Sequence, residues 1–130
     1  MVGLVIVSHS PKIAEGVVDL ALQMAPEYEG MRAAGGLEDG EIGTDATRIM
    51  AAIEEVNSGD GVVILCDLGS AIMSAETAIE LLEDAGIPIR IADAPLVEGA
   101  IVAAVEASVG SSMEDIVKAA EEAWETRKLN

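Results

Sequence analysis

The chain contains a single histidine, His9, set in a Ser8-His9-Ser10 run at the end of a short apolar stretch. A neutral imidazole offers one nitrogen that donates and one that accepts or attacks. A carboxylate that takes the proton on the first nitrogen fixes the tautomer and leaves a lone pair on the second. Asp67, in Cys66-Asp67-Leu68-Gly69-Ser70, also follows an apolar run and is the candidate for that carboxylate. The free nitrogen of His9 can then serve as a general base or as a nucleophile. Three segments nearby offer backbone N–H groups: the helix start after Ser10, the helix start after Ser70, and the glycine-rich stretch Gly35–Gly43. Such groups receive anions, phosphate above all. A histidine among them points to a phosphoryl acceptor.

Blander readings exist for each part. A histidine after a strand can be a structural hydrogen-bonder, Asp67 a helix-start cap, and the glycines a set of turns. The Gly-x-x-x-x-Gly-Lys-Ser/Thr pattern of a P-loop is absent, and no serine sits in a Gly-x-Ser-x-Gly setting. The lone Cys66 is expected to lie buried at a strand end rather than to attack anything. It leaves no intrachain disulfide and suits a reducing cytoplasm. With one histidine and no EF-hand spacing, neither a metal site nor a cofactor is assigned. The convergence of three separate loops favours function.

These residues converge only if the chain folds as alternating strands and helices. Gly3–Ser8 and Val62–Cys66 read as buried strands, being short, β-branched and continuous in hydrophobicity. Gly30–Ala34 and Ile87–Ala92 are weaker ones, with Pro88 placing the latter at an edge. Ser10 caps a first helix with Pro11 at its first position, apolar at Ile13, Val17, Leu20, Ala21 and Met24, and ending before Pro26. Thr44 or Asp45 caps a second, with Ile49, Ala52, Ile53 and Val56 on one face. A third turns its Ile72, Ala75, Ile79 and Leu82 inward. An alanine-rich fourth spans Gly99–Ser108, and Ser111 or Ser112 caps a fifth with Ile116, Ala120, Ala123 and Trp124 inward, before a polar tail Thr126–Asn130. Met24, Met50, Met73 and Met113 are expected to fill core gaps. The pattern predicts an α/β fold: an open parallel sheet of order 2-1-3-4 with helices on both faces, a three-layer sandwich. The crevice of such a sheet lies beyond the carboxyl ends of strands 1 and 3, where His9 and Asp67 fall.

The 130 residues suit one domain, 1–130, and the 51% hydrophobic content argues against disorder despite 24 acidic against 7 basic side chains. With 2% aromatics, the core must be aliphatic. A net charge of −17 speaks against nucleic acid and anionic membrane surfaces, and for a basic protein partner. No uncharged run is long enough to span a bilayer.

The stretches VIVSHSPKIAEGV, GTDATRIMAAI, ILCDLGSAIMSAE and APLVEGAIVAAV resemble the DhaM family. These are phosphotransfer subunits of phosphoenolpyruvate-dependent dihydroxyacetone kinase, grouped with the mannose-type IIA domains of the bacterial phosphotransferase system. The resemblance runs from about Val2 to about Val117, and SHS, DLGSA and VEGA are specific in combination. It implies that His9 is phosphorylated by the phosphocarrier HPr through Nε2, with Asp67 orienting the ring. The phosphoryl group would pass to ADP on the DhaL subunit, and the ATP formed would phosphorylate dihydroxyacetone held by DhaK. It also implies a homodimer. Ser10, Gly36, Thr44, Gly69 and Ser70 are, by position, the expected phosphate contacts. Leu37 stands where the family often has threonine. Some relatives continue into HPr-like and enzyme-I-like domains, so this chain is expected to use a separate HPr. The alternatives are a sugar-uptake IIA domain serving a IIB protein and a non-enzymatic acidic binding module.

Overall fold

The computed structural model describes residues 1–129. The elements run β1 (Gly3–Ser8), α1 (Pro11–Met24), β2 (Met31–Gly35), α2 (Ala46–Val56), β3 (Val62–Cys66), α3 (Gly69–Leu81), β4 (Ile89–Ile91), α4 (Leu96–Ser108) and α5 (Met113–Glu122), with short 3-10 turns at Glu83–Ala85 and Ala123–Glu125. The four strands pair in parallel in the order β2-β1-β3-β4, as the alternating pattern predicts. The expected polar tail leaves the helix at Thr126, and its last residue, Asn130, lies outside the described residues.

Strand alternation divides the core in two. Leu4, Ile6, Val63 and Leu65 face α1, α4 and α5, whereas Val5, Val7, Val62, Ile64 and Cys66 face α2 and α3. A parallel sheet covered on both sides needs strands apolar on both sides, and every residue of β1 and β3 is buried. The helix starts follow side-chain chemistry. Ser10 Oγ accepts from Ile13 N–H at 3.3 Å and Pro11 opens α1; Asp45 caps α2 and Ser112 caps α5.

Several inward faces differ from the sequence reading. On α1 the buried positions are Ala14, Val17 and Ala21, while Ile13, Leu20 and Met24 are exposed. On α3 they are Ala71, Ala75 and Ala78, and Ile72 and Met73 face solvent. The cause is close packing: small side chains let the helices approach the sheet, so the larger residues are displaced to the flanks. The same logic governs α4, which begins at Leu96 rather than Gly99 and buries Gly99, Ala100, Ala103, Ala104 and Ala107. A Cβ on Gly99 would stand 3.1 Å from Leu65 Cδ2 and 3.0 Å from Ala94 Cβ. Of the four methionines expected to fill core gaps, Met24 and Met73 are exposed, and Met50 and Met113 pack partly against the core. Trp124 is 61% exposed because α5 ends at Glu122, before the helical phase reaches it; its indole N–H donates to Asp93 O at 2.9 Å. β4 keeps only three residues of the expected six.

Leu65 is fully buried beneath α4. Leu65→Ala is expected to lower stability by about 2–5 kcal/mol, read as a lower urea midpoint at unchanged slope.

Candidate functional site

β1 and β3 are neighbours in the sheet, but the chain leaves β1 toward β2 and β3 toward β4. The crevice between their carboxyl ends is the switch point of the sheet. Register pairs Val7 with Cys66, and Asp67 N–H donates to Val7 O at 3.1 Å. The next residues, Ser8 and His9 on one side and Asp67 on the other, therefore meet.

The Asp67 carboxylate is the centre of that meeting. Its Oδ1 accepts from His9 Nδ1 at 2.9 Å and from Leu68 N–H at 2.6 Å. Its Oδ2 accepts from Ser8 Oγ at 2.8 Å and from His9 N–H at 3.0 Å. A carboxylate can only accept, so the ring proton of neutral His9 resides on Nδ1 and Nε2 carries the lone pair. Nε2 is approached by Ser70 Oγ, whose hydroxyl donates to it. Both side chains are mostly shielded, His9 22% and Asp67 15% exposed, yet the ring stays reachable from the crevice.

Burial raises the Asp67 carboxyl, but the backbone N–H of His9, the Ser8 hydroxyl, the backbone N–H of Leu68 and the His9 ring outweigh it. The carboxyl is held below its usual range and remains ionised. Burial, and next the Asp67 charge, push the Cys66 thiol up to about 12, so it stays protonated and inert as the sequence suggests.

The glycine-rich segment binds backbone. Gly36 N–H donates to Ser8 O at 3.1 Å and Gly43 N–H to His9 O at 2.8 Å. The segment thus clamps His9 from both sides. Gly36 has φ +70°, and a Cβ there would run into the Pro11 ring and stand 2.9 Å from Glu41 O. Thr44 Oγ1 shares a 2.7 Å hydrogen bond with Ser74 Oγ, tying the segment to α3. Ser10 is likewise committed: its N–H goes to Ser8 Oγ at 3.1 Å and its hydroxyl caps α1.

The start of α3 is different. Its cap residue, Leu68, has no side-chain hydrogen bond to give. Gly69 N–H and Ser70 N–H have no partner among the described residues. Together with Ser70 Oγ they supply donors beside Nε2, reinforced by the positive end of the helix. Among the phosphate contacts expected from sequence, Gly69 and Ser70 offer free donors at the ring, and Ser10, Gly36 and Thr44 brace it. Among the described residues no group of three or more His, Cys, Asp or Glu side chains is placed to hold a metal ion. Sequence reasoning missed Gly43 and the hydroxyl of Ser8. The signal for Ser8 was a polar residue inside an otherwise apolar strand.

Residues 3–117 match the family model EIIA-man, described as the fructose IIA component of the phosphotransferase system. A relative from Listeria innocua, the phosphoryl donor subunit DhaM of a PEP-dependent dihydroxyacetone kinase 2, is 43% identical over 119 residues, covering 91% of this chain and 95% of the relative. The DhaM of Escherichia coli K12 is 44% identical over 132 residues and 98% of this chain, but the chain spans only 28% of that relative's length. The solved structure of EF1359, a protein described as of unknown function, superposes with a TM-score of 0.82 at 36% identity, covering 93% of each chain.

A depressed carboxyl has a measurable consequence. The folded value of Asp67 lies below the unfolded one. Its stabilising contribution is therefore present above the unfolded value and is lost as pH falls through the folded one. Asp67→Asn removes that dependence. Between ~pH 5 and ~pH 2 the urea midpoint of the unaltered chain is expected to drop more steeply than that of the variant. Parallel curves would show that the four donors do not hold an anion.

Proposed function

The chain belongs to the EIIA-man family, and from that membership we propose that it is a phosphohistidine carrier, the phosphoryl donor subunit of a PEP-dependent dihydroxyacetone kinase. His9 Nε2 takes the phosphoryl group from HPr and passes it to ADP bound on DhaL, and the ATP serves dihydroxyacetone held by DhaK. The observation that carries the reading is the tautomer: Nδ1–H is bound to Asp67, and the bare Nε2 faces Ser70 and the uncapped start of α3.

In the first transfer, the P–N bond on the HPr histidine breaks as the P–Nε2 bond forms on His9. In the second, P–Nε2 breaks as a P–O bond forms on the β-phosphate of ADP, and the His9 ring regains its lone pair. The transition state is loose, so positioning and charge stabilisation do the catalysis. When Nε2 is occupied by phosphorus, the ring is cationic and the Asp67 carboxylate beside Nδ1–H stabilises it. The Ser70 hydroxyl, displaced from Nε2, turns to a phosphoryl oxygen. No metal is assigned to this chain; a nucleotide-bound metal would belong to the partner.

Docking is supported by the exposed apolar Ile42, which shares the glycine-rich segment with the acidic Glu38, Asp39 and Glu41, and by the exposed Leu68 and Met73 at the start of α3. Such a face suits a basic partner surface with an apolar centre. No described helix is long and apolar enough to cross a membrane. The reading includes action in the cytoplasm, in glycerol metabolism, as a homodimer. The family match to a fructose IIA component favours one second reading, delivery of the phosphoryl group to a IIB sugar-uptake protein.

Incubation with phosphoenolpyruvate, enzyme I and HPr is expected to label His9 with an acid-labile, base-stable phosphoryl group, seen by mass spectrometry of the His9 peptide. His9→Ala should fold and take none; labelling that persists in it would overturn the assignment. Asp67→Asn should slow uptake by roughly 10- to 100-fold, and an unchanged rate would reduce Asp67 to a helix cap. The labelled protein mixed with DhaL and ADP should yield ATP. Transfer to a IIB protein instead would establish the second reading, and no labelling at all would leave an acidic binding module.

A further inference from the structure

Ser8 is the one polar side chain among the fully buried residues described, at 0% exposure. It ends β1, where the pattern of the strand calls for an apolar residue. Its hydroxyl makes two hydrogen bonds, donating to Asp67 Oδ2 at 2.8 Å and accepting from Ser10 N–H at 3.1 Å. Its carbonyl takes Gly36 N–H at 3.1 Å. One residue thus joins the end of β1, the end of β3, the start of α1 and the glycine-rich segment.

We propose that Ser8 is a positioning residue for phosphoryl transfer: its hydroxyl holds the second oxygen of Asp67 so that the first meets His9 Nδ1–H, and thereby keeps the ring proton on Nδ1 and the Nε2 lone pair directed at Ser70. The inference rests on the phosphohistidine reading for its consequence but not for its geometry. Without the hydroxyl, Oδ2 keeps only the His9 N–H, and the carboxylate loses one of the four donors that fix its rotation about the Cβ–Cγ bond. Rotation would weaken the Nδ1 contact on Oδ1. The Ser10 N–H would also lose its acceptor at the residue that opens α1, so the two ends of the His9 turn would loosen together.

The titratable groups that face Asp67 are few. Among the described residues, the β1–α1 turn contributes His9 and β3 contributes the protonated Cys66 thiol. The Ser8 hydroxyl is one of the donors that hold the Asp67 carboxyl down. Removing it has a direction that a purely structural serine would not produce: the carboxyl climbs toward its ordinary value.

The experiment compares the unaltered chain with Ser8→Ala, Ser8→Cys and Ser8→Thr. Ser8→Cys keeps nearly the same shape with a weak donor, and so serves if Ser8→Ala fails to fold. Two readouts are taken: the Asp67 carboxyl titration by carbon NMR in the free protein, and the pH profile of phosphoryl uptake from phospho-HPr. The expected result is an Asp67 midpoint that rises in Ser8→Ala and Ser8→Cys and uptake that falls about tenfold. Ser8→Thr should restore both. A midpoint that stays put in Ser8→Ala and Ser8→Cys overturns the proposal, whatever happens to uptake. A loss of thermal stability with an unshifted midpoint and no rescue by Ser8→Thr shows a packing role and overturns it as well. If the unaltered chain takes no phosphoryl group, the carrier reading fails, and the titration in the free protein still decides the role of Ser8.

Discussion

The site depends on one carboxylate whose accepting capacity is full. An ionised carboxyl has about four lone-pair positions, and Asp67 receives a donor at each: the Ser8 hydroxyl, two backbone N–H groups and the His9 ring. A part-buried charge is costly unless it is hydrogen-bonded, and here the donors are fixed by backbone. Two come from His9, which follows β1, and Leu68, two residues beyond the end of β3, so the pairing of those strands sets their positions. The carboxylate has little need of another proton, and the ring proton stays on Nδ1. The reactive character of Nε2 is thus a consequence of strand register, transmitted through Asp67.

Around that carboxylate the loops divide the work. Helix starts and glycine-rich turns look alike as sources of N–H groups, yet they do different jobs. The start of α1 is closed, since Pro11 has no N–H and Ser10 caps the next turn. The glycine-rich segment spends its amides on the carbonyls of Ser8 and His9. Of α1, α2 and α3, only α3 opens without a side-chain cap, because an apolar Leu68 sits where a serine or aspartate would have closed it. The Asp67 that follows β3 could have capped α3, but its oxygens are turned to the histidine and to Leu68 N–H. Leaving one helix start open beside Nε2 gives the crevice a direction in which an anion can enter.

How much of this the sequence carries can be read residue by residue. His9, Asp67 and Ser70 were placed together because β-branched apolar runs before them are strands, and right-handed crossovers leave few ways to order the sheet. Helix faces were harder. α3 and α4 are apolar nearly all round, so periodicity does not choose between Ala71 and Ile72, or tell where α4 begins. Packing distance chooses, and it favours the alanines. The exposure of Trp124 has a related cause: a helix end cannot be read from its hydrophobic phase. The binding of backbone by Gly36 and Gly43 was invisible for a different reason: a glycine's sequence context says that the chain turns, not which carbonyl its N–H will meet.

The charge of the molecule gives the local donors their meaning. With a net charge of −17, the long-range field opposes a bound phosphoryl group, while Ser70 and the α3 amides attract it over a hydrogen-bond length. Long-range repulsion is largely screened beyond about 8–10 Å in physiological salt, whereas contacts in the crevice are not. On the carrier reading, a phosphoryl group bonded to Nε2 is steadied only by short, oriented contacts inside an unfavourable field. It departs readily once a partner with better donors is docked. A strongly basic crevice would have made a phosphate-binding protein instead. On the carrier reading, a chain with 7 basic against 24 acidic side chains suits the task, because the same site must accept the phosphoryl group and give it up.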